Sequence, residues 1–147
     1  MKLIESLGYH TGVYAPLMQQ LLHNDPALKP FHRGLVSAEA ATQAASNRAT
    51  SFGQSKRNTL VEVLHKQYEH LAPDSKTRAQ IDALSASNAV TITTGHQLNL
   101  FTGPLYFWYK ILDVINGAAA MQQVDDKHQY VPVFWMASED HDIEEIN

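Results

Sequence analysis

Two clusters of polar side chains in the second half of the sequence have the residue types that acid–base and ligand-binding chemistry requires. The first cluster is Gly95-His96-Gln97, and the second is Ser138-Glu139-Asp140-His141-Asp142. Histidine ordinarily titrates near neutral pH, so His96 could act as a general acid or stabilise a developing charge. The carboxylates that flank His141 could bind a divalent metal, orient an amine or hold the imidazole in one tautomer.

Each cluster also has a simpler interpretation, as a turn or an acidic loop whose side chains meet only solvent. For the second cluster we favour function, because it directly follows a predicted buried strand and loops in such places often carry sites. A metal site is the weaker functional interpretation, because Asp140, His141 and Asp142 are adjacent and adjacent side chains rarely converge on one ion. We therefore predict no metal site.

The segment between the clusters begins a helix at Phe101-Thr102-Gly103-Pro104. The free N–H groups and partial positive charge at a helix N-terminus suit an anion. The segment is neither a Walker A motif, since Gly-Lys-Ser/Thr does not follow, nor a G-x-G-x-x-G motif. The alternative is an ordinary helix start, in which Thr102 or Gly103 is the cap and Pro104 occupies the first turn.

Four consecutive aromatic residues, Tyr106 to Tyr109, follow in this helix. Because consecutive residues point all round a helix, we expect most of them to lie in the core. Lys110 is either an ordinary surface lysine, which is the commoner case for this residue type, or a ligand-binding cation. We include Tyr106 and Lys110 among the candidate ligand-binding residues.

The predicted elements bring the two clusters to the same place. Ala89–Thr94 is rich in β-branched residues, and Tyr130–Ala137 is a nearly continuous apolar run, as expected for a strand covered on both faces. The helix from Pro104, which we expect to fray by Gln123, connects them. Such a parallel βαβ unit presents its chemistry at the carboxyl ends of its strands, where both clusters lie.

We predict an α/β fold with two parts, an N-terminal helical segment over residues 1–88 and the first βαβ unit over residues 89–147. In the first part, apolar residues recur at helical spacing from Val13 to Leu22 and predict the first of several helical hairpins. Ala27 to Gly34 is predicted as a loop in which Phe31 is a packing anchor. Helix boundaries are predicted at Ser37, at Gly53 and at Asp74 or Ser75.

One crossover gives only two parallel strands and leaves an apolar sheet edge unpaired. We therefore expect the βαβ unit to be an incomplete part of a larger doubly wound sheet. Either the chain is the N-terminal part of a longer protein, or a partner completes its sheet.

The composition is that of an ordinary folded domain, with 44% apolar and 18% charged residues among 147. The sequence has no cysteine, which excludes a disulfide framework, a thiolate zinc site and a cysteine nucleophile, and which fits a cytosolic protein. No apolar run approaches the roughly 20 residues that span a bilayer, and the N-terminus has no apolar signal segment. We predict a cytoplasmic protein without a membrane partner.

The net charge of −4 argues against broad electrostatic binding to nucleic acid. The charge is unevenly spread, because residues 1–88 have 9 Lys/Arg and 7 Asp/Glu whereas residues 89–147 have 2 and 8. A phosphate-rich ligand near the two clusters would therefore need a cation, backbone N–H groups or a further part of the protein.

Two long motifs resemble one enzyme family. The first runs from Thr94-Gly95-His96-Gln97 through Leu100-Phe101-Thr102-Gly103-Pro104-Leu105-Tyr106 to Tyr109-Lys110. The second runs from Val131-Pro132-Val133-Phe134-Trp135-Met136-Ala137 through the acidic cluster to Glu144-Glu145 and Asn147. Both are similar to the N-terminal portion of the cysteine-adding enzymes of bacillithiol biosynthesis, the BshC family, whose members are several times longer. The family usually has glutamine at the position of His96.

The resemblance implies a Rossmann-like core with inserted segments and a C-terminal coiled coil, and a homodimer of the full-length form is expected with it. It also implies a ligase that joins cysteine to the amine of glucosaminyl-malate and so forms bacillithiol. Because an amide forms uphill from a free carboxylate and an amine in water, the carboxylate needs activation. ATP is the natural candidate, which the resemblance does not establish.

The resemblance and the position of the two clusters together assign candidate roles. The predicted catalytic residues are His96, Asp140 and His141. The predicted substrate- and nucleotide-binding residues are Gly95, Gln97, Thr102, Gly103, Tyr106, Lys110, Glu139 and Asp142. The loop after the first strand and the helix start would line a nucleotide or carboxylate pocket, and the acidic cluster would hold the amine or sugar substrate.

Two alternatives belong to other functional classes. The chain could be a catalytically incomplete fragment that only binds a ligand or self-associates through its open sheet edge. It could also be a metal-dependent hydrolase that uses Glu139 to Asp142.

Overall fold

A computed structural model describes residues 14–23, 25–31, 37–97, 99 and 103–138. It contains five α-helices and two strands in these ranges: α1 Pro16–Leu22, α2 Ala38–Ser51, α3 Gln54–Tyr68, α4 Ser75–Ala83, β1 Ala89–Gln97, α5 Leu105–Val124 and β2 Gln129–Ala137. Short 3-10 helices lie at Pro26–Phe31 and Glu69–Leu71. None of the described helices is long and apolar enough to cross a membrane.

The chain divides into two compact units, Met1–Ala41 and Thr42–Asn147. In the first unit, Pro26–Phe31 is a 3-10 helix rather than the predicted loop, and the Asp25 carboxylate accepts a hydrogen bond from Ala27 N at 2.9 Å just before it. Phe31 is 84% exposed, so the prediction that it anchors the packing is wrong. The second unit contains helices α3 and α4 together with both strands, and the predicted domain boundary at residue 88 stays a prediction.

The predicted helix boundaries around α2, α3 and α4 are confirmed. Ser37 Oγ accepts a hydrogen bond from Ala40 N at 3.2 Å, which caps the start of α2. Gly53 has extended backbone and separates α2 from α3. Asp74 Oδ1 accepts a hydrogen bond from Thr77 N at 2.7 Å and so caps α4.

The two strands form the predicted parallel βαβ unit. They pair in register from Ala89 opposite Gln129 to Gln97 opposite Ala137, and α5 is the crossover helix between them. The helix begins at Leu105 with Pro104 as its N-cap residue, and it continues to Val124 instead of fraying at Gln123. The carboxyl ends of the strands are therefore level with each other.

The core lies at the amino ends of the strands. On one face of the sheet, Val90 and Tyr130 pack with Ala45 of α2 and Ala118 of α5. On the opposite face, Val131 is fully buried. Helix α4 also contacts β2. Burial at this end fixes the register, because a shift of one residue would turn Val131 and Tyr130 to the wrong faces.

The carboxyl half of β2 is open, contrary to the prediction of a strand covered on both faces. Trp135 and Met136 are 58% and 62% exposed. The aromatic run of α5 is also largely exposed, because only the side of the helix that carries Phe107 packs on the sheet, where its ring meets that of Phe134 with centroids 5.0 Å apart. The expectation that most of the run lies in the core is wrong for Tyr106, Trp108 and Tyr109.

A buried arginine joins three elements at the amino end of the sheet. Arg57 is 4% exposed, and its guanidinium donates to Ala89 O at 2.9 Å, Phe52 O at 3.1 Å and Leu84 O at 3.4 Å. The guanidinium also lies 5.4 Å from the centroid of the Phe52 ring. Arg57 therefore fixes the junction of α2 and α3 against the end of α4 and the start of β1.

A second buried polar group lies where α5 turns into β2. Asp125 Oδ2 accepts hydrogen bonds from His128 Nδ1 and Tyr130 Oη, both at 2.7 Å, and Oδ1 accepts one from Lys127 N at 2.9 Å. The hydrogen bonds from His128, Tyr130 and the Lys127 backbone lower the pKa of Asp125 from its usual 3.8 to about 2. Burial, and then the hydrogen bond to Asp125, raise the pKa of Tyr130 to about 12.

The same group contains a serine and has the residue types of a hydrolytic triad. His128 Nε2 lies 3.4 Å from Ser46 Oγ, which also donates to Thr42 O at 3.2 Å. Asp125 and His128 are 4% and 7% exposed, so a substrate has no access to the imidazole. We therefore interpret this group as structural.

Candidate functional site at the carboxyl ends of the strands

The close approach of the two strands at their carboxyl ends requires a glycine. Gly95 pairs with Trp135, and a Cβ atom built on Gly95 would lie 2.9 Å from Trp135 O and 3.1 Å from Trp135 Cβ. Any side chain at this position would press its Cβ atom against the backbone oxygen of the paired strand. The absence of a side chain at Gly95 thus sets how closely β1 and β2 approach beneath the candidate site.

The next residue, His96, turns its ring towards the first turn of α5. Its Nε2 atom lies 2.6 Å from Tyr106 Oη, and the two ring centroids are 5.1 Å apart. The edge of Phe107 supports the imidazole from the same helix, with centroids 6.0 Å apart. The ring of His96 is half-buried, whereas Tyr106 is 48% exposed. The phenol is therefore the solvent-facing end of the pair.

Asn99 holds the other nitrogen of the imidazole. Its Nδ2 atom is 2.9 Å from His96 Nδ1 and 2.9 Å from Gln97 O, and His96 Nδ1 is itself 2.9 Å from Gln97 O. Each of two proton arrangements satisfies two of these three contacts, and both keep the hydrogen bond from Asn99 to Gln97 O. In one, Asn99 donates to Nδ1 and Nε2–H donates to Tyr106 Oη. In the other, Nδ1–H donates to Gln97 O and Nε2 accepts from the phenol.

Gly103 is required at its position for two reasons. Its φ of +69° lies in the left-handed region that favours glycine, and a Cβ atom there would lie 2.7 Å from Asn99 Cβ. The conformation at Gly103 therefore leaves room for Asn99 directly beside the start of α5. The prediction that Gly103 belongs to the site stays a prediction about ligand contact, but its structural role is clear.

Lys110 lies one helical turn beyond Tyr106 on the same side of α5. Its Nζ atom donates to Gly95 O at 3.0 Å and lies 5.9 Å from the centroid of the Tyr106 ring. The side chain is half-buried. Lys110 is therefore held at the end of β1, and the simpler interpretation of it as an ordinary surface lysine does not describe its position.

The structure brings six of the predicted site residues into one region, namely Gly95, His96, Gln97, Gly103, Tyr106 and Lys110. The other five, Thr102, Glu139, Asp140, His141 and Asp142, lie outside the described residues. Their roles stay predictions. Gly95, His96 and Gln97 are the last three residues of β1 rather than part of a loop after the strand, because the pairing with β2 continues to Gln97. Gly103 lies just before α5, and Tyr106 and Lys110 lie in its first two turns.

Sequence reasoning missed Asn99 as a site residue. It lies inside the motif that carries the family resemblance, but a single asparagine in a loop gives no signal of its own. The two glycines that flank it, Gly95 and Gly103, are the signal that could have identified it. Both mark close approaches of the backbone, and Asn99 is the polar side chain that lies between them.

The hydrogen-bonded group at this site has the charge character of an anion site. It contains the ammonium group of Lys110, the imidazole of His96, the phenol of Tyr106 and the amide of Asn99, without a carboxylate among the described residues that contact them. Residues 103–138 and the other described ranges hold no group of three or more His, Cys, Asp or Glu side chains that could bind a metal ion. The residues of the metal-dependent alternative, Glu139 to Asp142, lie outside these ranges.

A cleft of about 760 Å³ lies elsewhere, on the surface of α3 and α4. Four of its charged side chains pair with one another, His65 with Asp82 at 2.8 Å and Lys66 with Glu62 at 2.7 Å. Arg78 Nε donates to Pro73 O at 3.2 Å. Both pairs are exposed, so they contribute little energy and leave no buried group that needs a ligand. We therefore do not assign a function to this cleft.

Comparison with known proteins gives a match over almost the whole chain. Residues 3–147 match the family described as "Bacillithiol biosynthesis BshC, N-terminal Rossmann-like domain", which confirms the Rossmann-like α/β class. A protein of Christiangramia forsetii is 41% identical over 137 residues, which are 93% of this chain and 26% of the relative. One of Flavobacterium johnsoniae is 40% identical over 144 residues, or 97% of this chain and 27% of the relative.

A more distant relative from Salinibacter ruber is 32% identical over 137 residues, 92% of this chain and 24% of that protein. All three relatives are named "Putative cysteine ligase BshC". The chain thus spans about a quarter of the length of the curated relatives that it matches.

Proposed function

This chain belongs to the BshC family of bacillithiol biosynthesis, and on that premise we propose that it works as the Rossmann-like portion of a cysteine ligase. The proposed reaction joins the carboxyl group of cysteine to the amine of glucosaminyl-malate, forms an amide bond and gives bacillithiol. The observation that carries this proposal is the similarity to proteins named as cysteine ligases over more than nine-tenths of the chain.

The geometry at the carboxyl ends of the strands supports a ligase in one respect. A carboxylate that becomes an amide must first be held and activated, and the donors of His96, Tyr106 and Lys110 are of the type that binds carboxylates and phosphates. ATP is the proposed activating cofactor, and its phosphates would occupy the same donor-rich side. We propose no metal among the described residues.

The remaining roles in this proposal rest on residues outside the described ranges. Asp140, His141 and Asp142 would hold the amine or sugar substrate, where carboxylates suit an ammonium group. Glu139 and Thr102 would complete the binding surface. The proposed partners are small molecules, the proposed assembly of the full-length form is a homodimer, and the proposed compartment is the cytoplasm, in keeping with a sequence that has no cysteine.

The test is a product assay with the full-length protein. Cysteine and glucosaminyl-malate are incubated with and without ATP, and bacillithiol is detected by mass spectrometry. We expect product in the presence of ATP, and we expect His96→Ala and Asp140→Ala each to abolish it. His65→Ala is the matched control, because His65 is an exposed histidine on α3 that pairs only with Asp82 among the described residues.

Failure of the full-length wild type to form product with every substrate present would contradict the ligase proposal. Near-normal turnover of both His96→Ala and Asp140→Ala would instead contradict the assignment of the site and leave the reaction standing. If the wild type turns over equally well without ATP, the proposed cofactor is wrong.

A further inference from the structure

We propose that Tyr106 Oη and Lys110 Nζ together bind an anionic oxygen of the substrate, from a carboxylate or a phosphate, and that Asn99 and His96 act through Tyr106 as positioning residues. This inference rests on the proposed function and deepens it, because it names the chemical class of the group that meets this part of the site.

The first argument is the direction of the hydrogen bonds. An anion can be bound by Tyr106 only if the phenol donates its own proton outwards, so the phenol oxygen must accept its other hydrogen bond from His96 Nε2–H, 2.6 Å away. This fixes the tautomer of His96 and makes Nδ1 an acceptor. Gln97 O, an acceptor, also lies 2.9 Å from Nδ1. Asn99 Nδ2 lies 2.9 Å from both atoms, so its two hydrogens supply one donor to Nδ1 and one to Gln97 O, as this tautomer requires.

The result is a chain of donors that runs in one direction, from Asn99 through His96 to Tyr106. Each hydrogen bond in such a chain polarises the next one, so the last O–H is a better donor to an anion than an isolated phenol. The 48% exposure of Tyr106 leaves that O–H within reach of a ligand, while the half-buried imidazole behind it is held between Asn99 and the edge of Phe107.

The second argument is the position of Lys110. Its ammonium group has three donors and gives one to Gly95 O at 3.0 Å, which is its single hydrogen bond to another residue within the described part of the chain. Nζ lies 5.9 Å from the centroid of the Tyr106 ring, which places the cation on the same side of α5 as the phenol. A phenol donor and an ammonium group on the same side of one helix favour an anion and repel an amine.

The test measures binding by the full-length protein with three small probes, inorganic phosphate, L-malate and L-cysteine, by isothermal titration calorimetry. Binding of phosphate would indicate that the anion comes from a nucleotide. Binding of malate or cysteine would indicate that it is a carboxylate of one of the two proposed substrates. We expect Tyr106→Phe and Lys110→Met each to weaken the binding of at least one probe by about tenfold, because each removes a charge-assisted hydrogen bond.

Tyr109→Phe is the matched control, since Tyr109 is 58% exposed and is the neighbouring tyrosine of the same helix. It should leave the affinity for all three probes unchanged. Lys110→Met keeps the aliphatic stem, so the test stands even if Tyr106→Phe folds poorly.

The positioning role of His96 has its own test. His96→Gln keeps an N–H donor for Tyr106 Oη, whereas His96→Leu removes it. We expect His96→Leu to weaken binding about tenfold in the wild-type background and to have no further effect in the Tyr106→Phe background, because both changes remove the same interaction. His96→Gln should restore most of the affinity in the wild-type background.

The outcomes separate this inference from the proposed reaction. Unchanged affinity in both Tyr106→Phe and Lys110→Met, or a wild type that binds none of the three probes, would overturn the anion site even if bacillithiol is formed. Weakened binding in both variants would support the anion site even if the product assay fails. The probe that loses affinity identifies the source of the anion.

Discussion

The buried carboxylate of Asp125 is the single side chain whose ionisation most directly affects the free energy of unfolding. Its carboxylate is buried at the turn from α5 to β2, yet its pKa is lowered to about 2, because the donors of His128, Tyr130 and the Lys127 backbone outweigh the cost of burial. The folded state thus stabilises the ionised carboxylate of Asp125 over its protonated form.

This lowered pKa predicts a specific dependence of stability on pH. A group whose pKa is lower in the folded state contributes stability above its unfolded value, here near 3.8, and loses it as the pH falls towards the folded value of about 2. We expect the wild type to be more stable than Asp125→Asn at neutral pH, and we expect the difference to shrink between pH 4 and pH 2.

The measurement is urea unfolding of the two full-length proteins at several pH values in this range. Asp126→Asn is the control, because Asp126 is the exposed neighbouring aspartate. A difference between the wild type and Asp125→Asn that stays constant from pH 7 to pH 2 would show that the carboxylate does not act through its charge.

At the scale of the elements, the pairing of β1 with β2 depends on Gly95. A Cβ atom there would lie 2.9 Å from the backbone oxygen of Trp135, and backbone cannot move aside as the end of a flexible side chain can. We expect Gly95→Ala to lower the free energy of unfolding by about 1–3 kcal/mol, as overpacking typically does. It should also reduce product formation, because Gly95 O orients Lys110.

Gly53→Ala provides the comparison for this substitution. A Cβ atom at Gly53 would meet no atom within 4 Å, and its φ of −66° is open to any residue. Chemical unfolding of both full-length variants distinguishes the steric effect of Gly95→Ala from the general effect of replacing a glycine. Equal stabilities of the two variants would mean that the strands separate at little cost.

The elements were also the scale at which the sequence could be interpreted best. The βαβ unit and the caps at Ser37 and Asp74 follow from local signals, namely β-branched runs, helix periodicity and capping residues. The aromatic run from Tyr106 to Tyr109 misled the prediction, because consecutive apolar residues give no indication of which side of a helix another element will cover. That side is determined by the contacts with the sheet, where Phe107 meets Phe134 and Ala118 joins the buried core.

Buried polar groups that join distant parts of the sequence could not be predicted, for a different reason. Arg57 bonds to carbonyl oxygens 27 and 32 residues away, and Ser46 meets His128 across 82 residues. No local pattern reports such pairs, since they form only when the helices pack on the sheet. Asn99 was missed for the opposite reason, because its partners are local but depend on the backbone conformation at Gly103.

At the scale of the whole molecule, the two ends of β1 have different roles. At each end a backbone carbonyl accepts a hydrogen bond from a cationic side chain. Arg57 donates to Ala89 O at the amino end, and Lys110 donates to Gly95 O at the carboxyl end. The two carbonyls lie six residue steps apart along the strand, which is about 20 Å at the usual rise. Arg57 is 4% exposed and donates to three backbone carbonyls, whereas Lys110 is half-buried and donates to one among the described residues.

The same substitution at the two ends should therefore have opposite consequences. We expect Arg57→Met in the full-length protein to lower the free energy of unfolding by roughly 2–4 kcal/mol, because it leaves buried carbonyl oxygens without donors, and to leave phosphate and malate affinity unchanged. Lys110→Met should weaken anion binding about tenfold and change stability by less than about 1 kcal/mol. Urea unfolding and calorimetric titration of both variants measure the two properties.

Because changes this far apart combine additively, the double variant should show the sum of both defects. Loss of anion affinity in Arg57→Met at a temperature where it is fully folded would contradict the separation of the two ends.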